Sequence, residues 1–276
     1  MDSKVFNIAQ LAEDIKKLVL LIYEGRGVFV KISERVKRDI NHYKKLKECL
    51  EMDLNCPEVL KQLLTTLVTQ SWYYKISDGE MNELSGLVDE YGVEGLVNGE
   101  GKRRLLDLVN AILKKRIRDP SRIIKKLEIL LDELKASNLQ KWSEDLYGLA
   151  LDDRTKILGT KGRDNYLRDI GYWDRIPMDR HEMRFIVRTG IFHACSSEGK
   201  NDPLKREHLQ EALSEFCRRY LKGFIIDEID LGDSPGILDV FIWWYCSREG
   251  LNICGDQPKC DECLLRNSCL YSLIRE

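Results

Sequence analysis

The chain lacks any apolar run of about 18 residues, so no membrane-spanning helix is expected. It lacks a dominant charge sign: 44 basic residues against 46 acidic leave a net charge of −2, and overall composition announces no polyanion partner. It lacks an even cysteine count. Nine cysteines cannot all pair, which argues against a complete disulfide framework and favours a reducing compartment. The start of the chain, with Asp2, Lys4, Glu13 and Asp14, lacks the apolar core of a secretory leader. A cytoplasmic location with no targeting signal is therefore expected. Few stretches alternate with period two, and there is no internal repeat and no low-complexity linker. An all-α fold follows, in which any two domains pack together without a tether.

Helical periodicity fills the chain instead. Its 43% apolar and 33% charged residues are those of a globular protein, and 276 residues allow one large domain or two modest ones. Residues 7–23 place Ile8, Leu11, Ile15, Leu18 and Ile22 three and four apart, the stripe of a helix buried on one face. After Gly25-Arg26-Gly27, the β-branched run Val28–Ile32 reads as a short extended piece, and a second helix is expected over 33–50. Asn55-Cys56-Pro57 reads as a helix start. The segment Val59–Tyr74 is apolar on most sides, as a central core helix would be. Another helix starts at Asp119-Pro120-Ser121 and runs through Leu134. From Lys102 to Lys126 ten basic residues stand against Asp107 and Asp119, enough to touch phosphates, although a solvated helix face explains most of them equally well.

Four cysteines are crowded into one 16-residue stretch: Cys254, Cys260, Cys263 and Cys269, with gaps of five, two and five. Four soft thiolates this close can converge on one metal centre, with the Cys-x-x-Cys core as chelating turn. Zinc more often takes two separated Cys-x-x-Cys pairs. A single cradle suits a cubane 4Fe-4S cluster, with zinc or unligated thiols as the alternatives. Cys49, Cys56, Cys195, Cys217 and Cys246 read as small buried hydrophobes.

Two further segments carry chemistry. Lys156-Ile157-Leu158-Gly159-Thr160-Lys161 is a glycine-bearing turn between helical patterns, the first opened by Asp152 or Asp153. Such a turn presents backbone N–H groups and a positive dipole end to a DNA phosphate, although an ordinary αα-hairpin looks the same. Eighteen residues beyond Lys161, Asp179 precedes Glu182 by three, which is capping-box spacing. Asp179 is thus either a plain helix cap or a carboxylate held at a helix N-terminus for catalysis.

Here the chain resembles the helix-hairpin-helix DNA glycosylases, the superfamily that includes endonuclease III. In its lyase members a lysine ends the hairpin and an aspartate follows after the interval seen between Lys161 and Asp179. The runs Leu167-Arg168-Asp169-Ile170-Gly171-Tyr172 and Met178-Asp179-Arg180-His181 resemble the compact 8-oxoguanine DNA glycosylase/lyases, as does Leu238–Tyr245. The cysteine tail is similar to that of endonuclease III, with the first gap one residue shorter. The hairpin departs from the pattern at Ile157, where a glycine is usual.

The resemblance implies an all-α, two-domain architecture with a DNA cleft between the domains: a helical barrel over 55–170, and a second domain from 1–54 plus 171–276 that carries the iron–sulfur loop. It implies excision of a damaged base, first an oxidised purine, with strand cleavage at the abasic site. Lys161 would be the nucleophile, and Asp179 would stabilise positive charge on the sugar. Lys156, Gly159 and Thr160 would hold a phosphate, Gln70 would fill the vacated stack, and the four tail cysteines would bind the cluster. The expected partner is double-stranded DNA containing a damaged base, bound by a monomer without a membrane. Trp72 or Tyr73 could stack on a base, and at most two of Trp243, Trp244 and Tyr245 could line a base pocket. Rival readings are another target base (an oxidised pyrimidine, a mismatched thymine or uracil, an alkylated purine), a non-catalytic DNA-binding iron–sulfur protein, or a zinc-stabilised interaction protein.

Overall fold

The computed structural model describes residues 5–69, 76–151, 153, 155–200 and 202–275. Within them the chain forms thirteen α-helices: α1 Ile8–Glu24, α2 Val30–Met52, α3 Pro57–Thr69, α4 Asp78–Leu96, α5 Gly99–Lys114, α6 Ser121–Ala136, α7 Leu139–Tyr147, α8 Thr160–Asp169, α9 Arg180–Thr189, α10 Ile191–Cys195, α11 Arg206–Phe216, α12 Pro235–Cys246 and α13 Leu270–Arg275. The only sheet among the described residues is a two-residue antiparallel pair, Ile225–Ile226 with Ile229–Asp230. The all-α expectation holds.

Packing divides the chain into two compact units, Tyr43–Tyr172 and Met1–His42 with Trp173–Glu276. The first is built on α3, as its apolar sequence requires. Val59, Leu60, Leu63 and Leu64 are fully buried, and the helix packs on α4, α6 and α8. The expected helix runs on to Tyr74; α3 is described through Thr69, and residues 70–75 lie outside the described set. In the other unit α1 buries the stripe Leu11, Ile15, Leu18 and Ile22. There α9 packs on α10, α11, α12 and α13. Along α12 every residue but Trp243 is buried.

Three local expectations fail, each for a physical reason. Val28–Ile32 is not extended: a 3-10 turn, Gly27–Phe29, leads into α2 at Val30. Phe29, Ile32, Val36 and Ile40 are buried while Val28 and Val30 are exposed, so spacing of three and four, not alternation, fills the core. Burial of that stripe outweighs the weak preference of β-branched residues for strand. No helix opens at Asp153, and Asp152 lies outside the described residues; Thr155 instead closes a turn, its hydroxyl accepting from the Leu158 N–H at 2.7 Å. Cys49 and Cys56 are not isolated hydrophobes but a disulfide, with Cα atoms 5.9 Å apart. The tight turn between α2 and α3 brings them together, with the Cys56 N–H on the Asp53 carbonyl. An odd count excludes complete pairing, not one bridge. Cys195, Cys217 and Cys246 are free and buried, as expected.

Candidate active site and cysteine loop

The segment that would contact a phosphate is anchored from below. Ile157 and Leu158 are buried in the core of the Tyr43–Tyr172 unit, so Ile157 serves as a hydrophobic foot for the turn. Arg163 fastens the other side. Its side chain is fully buried and donates to the carbonyls of Ala150, Leu151 and Asp153 at 2.8–3.0 Å, and to Asp164 at 3.0 Å. An arginine that satisfies three backbone acceptors fixes this loop better than any apolar side chain could.

On this base α8 begins, with Gly159 as its N-cap and Thr160 and Lys161 in its first turn. Its N-cap residue, a glycine, supplies no side-chain cap of its own. Gly159 sits at φ −70°, ψ 164°, a conformation open to any residue, and a Cβ there would meet nothing within 4 Å. Neither backbone strain nor packing among the described residues therefore demands glycine at 159. Lys156 is exposed and Lys161 half-buried. Lys156, Gly159, Thr160 and Lys161 thus stand together at one helix start. Gln70, Trp72 and Tyr73 lie outside the described residues.

Asp179 belongs to the other unit. It is the N-cap of α9, and its Oδ1 accepts the His181 N–H at 2.6 Å. Glu182 reaches back, its Oε2 accepting the Asp179 N–H at 3.1 Å, and completes the capping box expected from the spacing. Gly190, at φ 91°, ends the helix in the left-handed conformation that suits glycine. His181 is buried, and its Nδ1 lies 3.2 Å from an Arg184 guanidinium nitrogen, a structural partnership on its own helix.

Of the three aromatics on α12, Tyr245 and Trp244 are core residues, and Trp244 donates from Nε1 to Asp39 at 2.8 Å. Trp243 alone is half-buried. Sequence reasoning missed Asp239 as a neighbour of Glu182. The signal was present: a lone carboxylate inside Pro235–Cys246, an otherwise apolar helix, is 1% exposed.

The basic segment is partly spent on structure. Lys102 pairs with Asp132 at 2.6 Å, Arg104 with Glu90 at 2.7 Å, and Lys115 and Arg116 both with Glu80.

In the tail, Cys254, Cys260 and Cys263 are half-buried and Cys269 is buried. The thiols act on one another: Cys254 and Cys269 press on Cys263, and Cys254 and Cys260 press on Cys269. Donors converge on the sulfurs as well. The Tyr245 hydroxyl donates to Cys263 Sγ at 3.2 Å, and Arg188 reaches Cys254 Sγ at 3.8 Å while donating to the Gly255 carbonyl at 2.6 Å. A hydrogen bond from the Cys246 thiol, with Arg188 and Arg184 behind it, pulls Cys254 down to about 6 against the effect of burial. Burial pushes Cys263 up to about 11 and raises Cys269. Soft donors in one neighbourhood, with N–H and O–H groups aimed at sulfur, fit a thiolate-held centre in kind. Among the described residues, however, no three His, Cys, Asp or Glu side chains are drawn together as a closed metal-holding group.

No family model matches the chain. No solved structure matches it either. Among curated proteins it is similar to one named 8-oxoguanine DNA glycosylase/AP lyase, from Saccharolobus islandicus, with 30% identity over 113 residues. The match takes in 38% of this chain and 49% of that protein, so the chain spans about half the length of the curated relative it matches. No described helix is long and apolar enough to cross a membrane.

Proposed function

We propose that the chain is a DNA-repair glycosylase with an associated lyase activity, acting as a monomer on double-stranded DNA and excising an oxidised purine, first 8-oxoguanine. What carries this reading is the pair of helix starts. The lysine and the aspartate marked by the resemblance each stand at the N-terminus of a ten-residue helix, one with glycine as its N-cap and one capped by the aspartate itself. The name of the partial relative supports it. The domains of this reading remain 55–170, and 1–54 with 171–276.

The target nucleotide must leave the stack before its glycosidic carbon is reachable. Gln70 would fill the gap, while Lys156 and the backbone of Gly159 and Thr160 hold a phosphate at the positive end of α8. The Lys161 amine attacks the sugar C1′, and the base departs with the glycosidic electron pair and takes up a proton. The sugar ring then opens at the C1′–O4′ bond, O4′ taking up the proton that the amine sheds, and the Schiff base so formed on Lys161 acidifies C2′. Loss of that proton expels the 3′ phosphate by β-elimination. The Asp179 carboxylate stabilises the positive charge that grows on the sugar. Cys254, Cys260, Cys263 and Cys269 would hold a 4Fe-4S cluster, with zinc the alternative metal. When bound, the cluster would tie the tail into one unit.

Borohydride trapping on a duplex with 8-oxoguanine opposite cytosine tests the reading, with Lys161→Gln alongside. The expected result is a covalent adduct that disappears in the variant while DNA binding persists. An adduct only on an abasic-site duplex would keep the lyase and change the target base. No adduct on either duplex would sink the lysine mechanism.

A further inference from the structure

Glu182 is buried to 1% exposure, and so is Asp239 on α12. Its Oε2 accepts the Asp179 N–H, and its Oε1 is buried with no N–H or hydroxyl donor among the described residues. Apart from the Cys246 thiol, the side chains that interact with it are themselves carboxyls, Asp179 and Asp239. Two carboxyls can hydrogen-bond only if one carries a proton. An ionised Glu182 would combine a buried anion, an orphaned acceptor and two like charges, the costliest arrangement for a carboxylate.

We propose that Glu182 is a positioning residue for Asp179: a carboxylic acid that grips the Asp179 backbone, donates to the Asp179 carboxylate, and thereby aims the group that faces the substrate sugar. This rests on the function proposed above. Burial first, then the charge of Asp239, then Asp179, hold the Glu182 carboxyl well above the usual carboxylate range. From α12, Cys246 also feels Glu182. Cys195 of α10 answers to Arg219 and Glu215, His208 of α11 accepts from the Asp202 N–H, and Tyr271 of α13 lies against Arg188 and Arg275. The protonated carboxyl makes Asp179 a better anchored anion, since a donor now faces an oxygen that would otherwise meet another negative charge.

Glutamine is the test. Its amide has the shape of a protonated glutamic acid, keeps an acceptor for the Asp179 N–H, donates to the Asp179 carboxylate, and never ionises. Single-turnover cleavage of an abasic-site duplex should be within about 3-fold of the parent for Glu182→Gln. It should fall on the order of 100-fold for Glu182→Ala, with DNA affinity unchanged, as expected when a reacting group is misplaced. The infrared spectrum at neutral pH should contain the carbonyl stretch of a protonated carboxylic acid that Glu182→Gln removes. A glutamine variant as slow as the alanine variant, a folded alanine variant as fast as the parent, or no such infrared band would each overturn the proposal. Should Glu182→Ala not fold, the glutamine rate and the band still decide. If the parent protein cleaves no abasic duplex, the lyase function fails separately, and the infrared band still supports or overturns the protonated Glu182.

Discussion

Two helices in this chain open with the same four-residue device and reach opposite electrostatic ends. In α4, Ser77 and Glu80 form a capping box, and in α9, Asp179 and Glu182 form another. Both glutamates are buried. Glu80 meets cations: Arg116 grips both its oxygens and Lys115 lies at 3.2 Å, so the Arg116 guanidinium, with the Ser77 N–H, holds its carboxyl far below the usual range. Glu182 meets Asp179 and Asp239, and its carboxyl moves the other way. The local motif satisfies helix N–H groups in both places. What lies across the packing interface decides whether the glutamate is an ion that locks the structure or an acid beside a candidate catalytic group.

The largest effect expected from breaking this comparison is chemical. Asp179→Asn should slow base excision and strand cleavage by on the order of 10²–10³-fold, because the stabilising charge is gone. Thermal unfolding should shift little, because asparagine caps a helix as well as aspartate does. A large stability loss with unchanged single-turnover rates would make Asp179 a cap and nothing more. Removing the cap itself should cost the two helices alike: Ser77→Ala and Asp179→Ala are each expected to lose about 1 kcal/mol by denaturant titration.

The pH dependences should then separate the two boxes. Glu80, with its folded value depressed, contributes stability that is present above the unfolded carboxylate value, about 4.3, and is lost as pH falls below it. Glu182, with its folded value raised, does the reverse: its contribution is full below about pH 4.3 and fades as pH rises towards its folded value. Glu80→Gln should therefore destabilise the protein most at neutral pH. Glu182→Gln should leave it at least as stable there as the parent. Denaturant midpoints measured from pH 2 to pH 8 would check both signs, and parallel curves for the two variants would erase the distinction.

The smallest effect concerns the start of α8. Gly159→Ala should leave stability within about 0.5 kcal/mol, since the site has room and an ordinary backbone conformation. Affinity for duplex DNA should nonetheless weaken several-fold if a phosphate approaches the start of α8. Equal affinity by fluorescence anisotropy would remove Gly159 from the interface.

Much of this was legible in the residues. The stripes of α1 and α3, the Pro57 helix start and the Asp179–Glu182 box follow from period 3.6 and from capping chemistry, which are properties of a few consecutive residues. The misread positions share one feature. At Val28–Ile32, at the supposed helix opening at Asp153, and at Cys49 with Cys56, local preference was overruled or completed by groups that only packing or chain reversal brings near. A core stripe did so in the first case, the Thr155 and Arg163 latches in the second, and the α2–α3 turn in the third.

By itself the sequence determined an all-helical chain, a lysine and an aspartate eighteen residues apart, and four clustered thiols. Those depend on periodicity and spacing, which survive without any knowledge of neighbours. Tertiary structure alone decided the charge states around them: that Glu80 faces Arg116, that Glu182 faces Asp239, and that Arg188 and Tyr245 aim donors at the cysteine loop. The free energy of a charge is set by what surrounds it in three dimensions, and residues far apart in the chain supply those surroundings.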